Sequence, residues 1–79
     1  MPHVVVKLWP GTSDDQKRRL TEIITRGVMD TLAYGRDAVS VGFEDVAPAD
    51  WTATVYDPEI VGKWNSLTKQ PGYGDRPSG

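Results

Sequence analysis

Apolar and polar residues alternate from the start of the chain: Val4, Val6 and Leu8 fall on one side of an extended backbone, and His3, Val5, Lys7 and Trp9 on the other. Branched side chains in period-two order predict a strand with one face on a core. Pro10-Gly11 interrupts the pattern and predicts a turn. The period then lengthens. Ser13 before Asp14, Asp15 and Gln16 reads as a helix start, with Ser at the N-cap, acids in the first turn and Gln at the capping-box position. Leu20, Ile23, Ile24, Gly27, Val28, Thr31 and Leu32 recur at helical spacing. The helix is predicted to end near Tyr34-Gly35, with the glycine as its cap.

Alternation returns at Val39, Val41 and Phe43, between Ser40, Gly42 and Glu44, and predicts a second strand. Strand, helix and strand with short links make a βαβ unit, whose strands should run parallel through a right-handed crossover. Two strands form a poor sheet with two open edges, which self-association into four strands would relieve. Further on, Ala47-Pro48-Ala49-Asp50 reads as a loop bringing Trp51 forward, and Thr52 to Tyr56 as a short edge strand or hairpin arm. Asp57-Pro58-Glu59 predicts a second helix start, with Ile60, Val61, Trp64 and Leu67 as its apolar stripe. Lys69-Gln70-Pro71-Gly72-Tyr73 should stop that helix, leaving residues 74–79 as a loose tail.

The whole chain, 1–79, is short enough to be read as a single domain of α/β (α+β) class. A chain of this size usually needs disulfides, a metal or oligomerisation to be stable. Cysteine is absent and His3 is the one histidine, which excludes disulfides and a His/Cys metal site and leaves oligomerisation. The net charge of -2 is nearly balanced, and the nine basic residues form no basic block, which argues against a nucleic-acid partner. No apolar segment approaches the ~20 residues that span a bilayer, and no leader pattern opens the chain. A soluble cytoplasmic protein with no membrane partner is the expectation. The glycines form neither a G-x-G-x-x-G nor a Walker pattern, so no nucleotide is implied.

Candidate chemistry sits at the start. Removal of Met1, favoured by the small second residue, would leave Pro2 with a free secondary amine at the entrance to the fold. A terminal amine titrates near ~8, and burial lowers that value toward the range where a general base works best. The competing reading is a proline that merely opens a strand.

Met1-Pro2-His3, the segment Gly11-Thr12-Ser13-Asp14-Asp15-Gln16-Lys17, the aromatic Trp51 and the ending Lys69-Gln70-Pro71-Gly72-Tyr73 occur in an order and spacing that resembles the 4-oxalocrotonate tautomerase family. The likeness is to its short dimeric branch, of phenylpyruvate-tautomerase type, which carries a second C-terminal helix. This resemblance implies a β-α-β protomer that forms a homodimer with a four-stranded sheet. It implies a cofactor-free keto-enol tautomerase in which Pro2 relays a proton between the oxygen and carbon ends of a 2-oxo acid enol. Trp51 would lie over the substrate. Thr12 and Ser40 fall where hexameric members carry two carboxylate-binding arginines, and neither supplies a positive charge. A monoacid with an apolar end, such as phenylenolpyruvate, therefore fits better than a dicarboxylate.

The other residues keep two readings each. Trp51 lines the pocket or anchors a core or interface; His3 orients substrate beside Pro2 or is a solvent-facing or hydrogen-bonded strand residue. Lys7, Arg36 and Lys69 could attract a substrate carboxylate or be solvated charges. Trp9 and Trp64 read as packing or dimer-interface residues. Glu44-Asp45 points to opposite faces of a strand and reads as a surface feature. Two other functions stay open: proline-dependent hydration, dehalogenation or decarboxylation of a small unsaturated or 3-oxo acid, and non-catalytic binding of a small acid or a protein by a dimer with Pro2 inert.

Overall fold

The computed structural model describes residues 1–74. They form two compact units, Met1–Asp45 and the residues from Val46 onward. In the first, β1 (His3–Leu8) pairs in parallel with β2 (Ser40–Asp45), and α1 (Asp14–Leu32) links them. The predicted β-α-β order is thus present. His3 lies opposite Ser40, Val4 opposite Val41, Val5 opposite Gly42 and Val6 opposite Phe43. Paired residues share a face, so Val4, Val6, Val41 and Phe43 form one apolar surface and His3, Val5, Ser40 and Gly42 the other. On the apolar side the Lys17 ammonium of α1 stands 5.9 Å from the centre of the Phe43 ring and 4.0 Å from Asp45.

Gly11, at φ +115, makes the predicted turn before α1, in a backbone region that side chains disfavour. Both capping-box bonds are present: Gln16 N–H donates to Ser13 Oγ at 3.1 Å, and Ser13 N–H to Gln16 Oε1 at 2.9 Å. Such a cap is worth about 1 kcal/mol. The other end departs from expectation. Ala33 takes the left-handed cap (φ 59, ψ 39) and donates its N–H to Met29 O, while Gly35 has an ordinary φ of -76. Glycine is favoured for this conformation but not required, and here the helix stops two residues before it.

The packed side of α1 also differs from the expected stripe. Lys17, Thr21, Ile24, Thr25, Val28 and Met29 are the shielded residues, with Thr25 buried. Leu20, Ile23 and Leu32, expected in the core, are exposed, Ile23 at 68%. The apolar arc is wider than this two-stranded sheet can cover, so the helix turns its Ile24–Val28 edge inward and leaves the Ile23 edge to solvent. Trp9 is likewise 58% exposed.

The second unit overturns three expectations. Beyond the cap residue Ala47, residues 48–50 are helix instead of loop, and Thr52–Tyr56 is neither a strand nor a hairpin arm: α2 (Pro48–Trp51) runs directly into a π-helical stretch, Thr52–Val61. Val55 and Tyr56 are 5% and 8% exposed, and two adjacent buried residues suit a helix rather than an alternating strand. Asp57-Pro58 therefore lies inside a helix instead of starting one. A proline there lacks an N–H and its ring crowds the carbonyl one α-turn back, and a wider π turn relieves that clash. Gly62 N–H closes the last wide turn on Asp57 O at 2.9 Å. A Cβ on Gly62 would stand 2.7 Å from Pro58 O, so a side chain there would force the turn open.

A 3₁₀ turn, Trp64–Ser66, follows, and Ile60, Val61, Trp64 and Leu67 are half-buried along the predicted stripe. Gly74, expected to begin a loose tail, is placed at φ +78 against Tyr56. Residues 75–79 of that expected tail lie outside the described residues. Among the described residues no helix is long and apolar enough to cross a membrane.

Candidate functional site at the chain start

Strand pairing builds the surroundings of Pro2. Ser40 opens β2, and its N–H donates to the Pro2 carbonyl at 3.1 Å. Its hydroxyl lies 2.6 Å from Nδ1 of His3, the residue directly opposite. Ser40 thus holds Pro2 by the main chain and His3 by the side chain. Pro2 itself is half-buried, whereas Met1 is 88% exposed.

One step along the same face, Gly42 faces Val5, and a Cβ added there would meet nothing within 4 Å. Another step on, Lys7 pairs with Glu44 at 3.8 Å. The face that carries His3 is therefore a polar pair, a bare glycine step beside an apolar side chain, and an ion pair. Glu44 and Asp45 reach different lysines, Lys7 and Lys17, as neighbouring strand residues should.

Histidine's two nitrogens decide what the His3–Ser40 contact offers. If the hydroxyl donates to Nδ1, the neutral ring carries its proton on Nε2 and presents a donor; if Nδ1–H donates to the hydroxyl, Nε2 is an acceptor. In both cases Nδ1 is engaged and Nε2 is the atom left for a ligand. His3 is exposed and hydrogen-bonded, so the structure agrees with the bonded-strand reading without removing the other. Thr12 is half-buried in the turn between Gly11 and the Ser13 cap.

Arg36 has a different employment from the carboxylate binding considered for it. Its guanidinium forks onto Glu22 of α1, with bonds of 2.9 and 3.1 Å, and Arg26 approaches the same carboxylate at 3.5 Å. The Arg36 hydrogen bonds, then its charge, hold the Glu22 carboxyl below its ordinary range; the same pair raises the guanidinium. Lys7 is occupied by Glu44.

Trp51 and Lys69 belong to the second unit, where Trp51 is half-buried and Lys69 exposed. The Trp51 indole N–H donates to the Tyr73 hydroxyl at 3.0 Å. Tyr73 in turn packs on Tyr56, with ring centres 5.7 Å apart and planes inclined by 39°. The sequence did not reveal this cluster, because Tyr56 read as part of a strand and Tyr73 only as part of an ending. Glycines on both sides of Tyr73 were the one local hint. Among the described residues no three His, Cys, Asp or Glu side chains gather in a metal-holding arrangement.

Known proteins can be set beside this geometry. The sequence profile of the family described as "Tautomerase enzyme" matches residues 2–56. A "Probable tautomerase" of Xylella fastidiosa (strain 9a5c) is 42% identical over 74 residues, covering 94% of this chain and 90% of the relative. "Tautomerase PptA" of Cronobacter sakazakii (strain ATCC BAA-894) is 35% identical over 74 residues, 92% of this chain and 97% of the relative. Among solved structures, YwhB, a homologue of 4-oxalocrotonate tautomerase, superposes with a TM-score of 0.56 at 35% identity, covering 58% of this chain and 75% of YwhB.

Proposed function

Because this chain belongs to the tautomerase family, we propose that its tautomerase activity runs through the amine of Pro2, freed by removal of Met1, on the enol of a 2-oxo monoacid of the phenylenolpyruvate kind. The observation that carries this reading is the grip of Ser40 on Pro2, which fixes the first residue of the processed chain against a folded strand. A general base must be held within reach of the proton it takes, and an amine on a frayed terminus would not be.

In the direction of ketonisation, the free amine takes the hydroxyl proton of the enol, leaving an enolate. The ammonium so formed returns a proton to the adjacent carbon. Atoms and charge balance within the amine and the substrate, with no cofactor. His3, an exposed residue, carries the polar side chain nearest in sequence to the amine, and an Nε2–H can donate to a carboxylate or enolate oxygen. The preference for a monoacid is supported by the uncharged side chains at Thr12 and Ser40 and by the pairing of Arg36 and Lys7 with acids of this chain. Trp51 offers the flat apolar surface an aryl group requires.

Ketonisation of phenylenolpyruvate by protein verified to lack Met1, compared with Pro2→Ala, tests the mechanism. A general base contributes about 10²- to 10⁴-fold, so kcat/KM should fall by roughly that factor when Met1 is retained, and by less in Pro2→Ala, whose α-amine survives as a primary amine. Full activity in a chain that retains Met1, whose Pro2 nitrogen is an amide, would overturn it.

A homodimer is part of the same proposal. Leu20 and Ile23, neighbours one turn apart, expose an apolar edge of α1, and covering an exposed side chain of this kind yields about 1.5–3 kcal/mol. A second copy would also cover the open strand edges. Sedimentation equilibrium should give twice the chain mass, and a monomer at micromolar concentration would contradict this part.

A further inference from the structure

We propose that the chain ending is a specificity element: Tyr73 is a positioning residue that fixes the indole of Trp51 and thereby sets affinity for the aryl end of the substrate. The inference rests on the reading of Trp51 as a substrate contact. Three contacts join the ending to the helical segment of residues 48–61. The Trp51 N–H donates to Tyr73 Oη at 3.0 Å, which fixes the indole's edge. The Tyr73 ring leans on Tyr56, which is itself buried and so provides a firm base. Gly74 follows at φ +78, and a Cβ there would lie 2.5 Å from the Tyr56 hydroxyl and 2.6 Å from its ring. Glycine is thus needed twice at this position, for its backbone conformation and for its lack of bulk.

An indole has a single donor, and that donor is satisfied by a residue 22 positions downstream. Rotating Trp51 away costs this bond, and the Tyr73 ring cannot follow freely while it rests on Tyr56. A ligand stacking on a pre-set ring avoids the entropy of ordering it. Tyr73 is still 49% exposed, and the Gly72-Tyr73-Gly74 sequence lets the chain double back to deliver its hydroxyl.

The test uses 3-phenylpropanoate, which cannot tautomerise, so binding is read whether or not Pro2 is a catalyst. Calorimetric titration of the full chain should show Tyr73→Phe, which removes only the oxygen, binding this acid about three- to tenfold more weakly, the worth of one neutral hydrogen bond. Gly74→Ala should do the same by lifting the ending. In the Trp51→Phe background, Tyr73→Phe should have no further effect, and the Trp51 indole N–H resonance should move in Tyr73→Phe. With phenylenolpyruvate the loss should appear in KM and leave kcat within about twofold, as expected for uniform binding. Unchanged affinity in Tyr73→Phe alongside weakened binding in Trp51→Ala, which removes the ring, would overturn the role of Tyr73. Unchanged affinity in Trp51→Ala would overturn the substrate-contact reading beneath it.

Discussion

Ser40 and His3 face each other across the parallel strand pair, hydroxyl to Nδ1 at 2.6 Å, while the main chain of Ser40 holds Pro2. One residue of β2 therefore controls both the position of the N-terminal residue and the orientation of the ring beside it. Ser40→Ala keeps the main-chain bond and loses the side-chain one. Its kcat/KM for phenylenolpyruvate should drop by about three- to tenfold, the scale of one hydrogen bond, with little change in Tm because the site is exposed. Ser40→Thr should restore most of the loss. Equal activity of the alanine variant and the wild type would remove His3–Ser40 from the site.

The Arg36 fork on Glu22 makes stability depend on pH with a definite sign. The Glu22 carboxyl titrates below its ordinary 4.5 in the folded chain. The contribution is therefore complete above that value and is lost as the pH falls through the lower folded value. Glu22→Gln should lower Tm at pH 7 and make no difference under acid conditions where the wild-type carboxyl is already protonated. Melting curves across pH check this. A deficit that persists unchanged in acid would assign it to packing instead.

Ala33 sits in a left-handed conformation that costs a non-glycine residue roughly 1–2 kcal/mol. Ala33→Gly relieves it, less about 0.4–1 kcal/mol for the freer unfolded chain. The net expectation is a gain of about 0–1.6 kcal/mol in urea unfolding. A destabilised glycine variant would show that the cap is not strained.

Gly62 meets the opposite fate. Its missing side chain is what lets the wide turn close over Asp57 and Pro58. Gly62→Ala should cost about 1–3 kcal/mol, the usual range for overpacking. Circular dichroism and urea titration read the loss, and a neutral result would mean that the turn opens easily.

Much of the first unit was legible from local chemistry. Ser13 and Gln16 three residues apart specify a capping box by themselves, and alternation in residues 3–9 and 39–44 specifies strands, because these signals act within a few residues. Pro2 was singled out for its place in the chain, a role that the ketonisation comparison tests. The face that α1 buries was not, because its apolar arc exceeds what one small sheet covers and only packing chooses the edge. The second unit misled more deeply. Thr52, Thr54 and Val55 favour strands and Pro58 favours a helix start, yet burial of Val55 and Tyr56 side by side overrides both and widens the helix around the proline. Sequence alone thus determined the capped helix and the two strands, each written in neighbouring residues. Tertiary structure decided that Ser40 holds His3, that Arg36 belongs to Glu22 and that Tyr73 holds Trp51, since each joins residues from 14 to 37 positions apart and depends on how the chain folds back on itself.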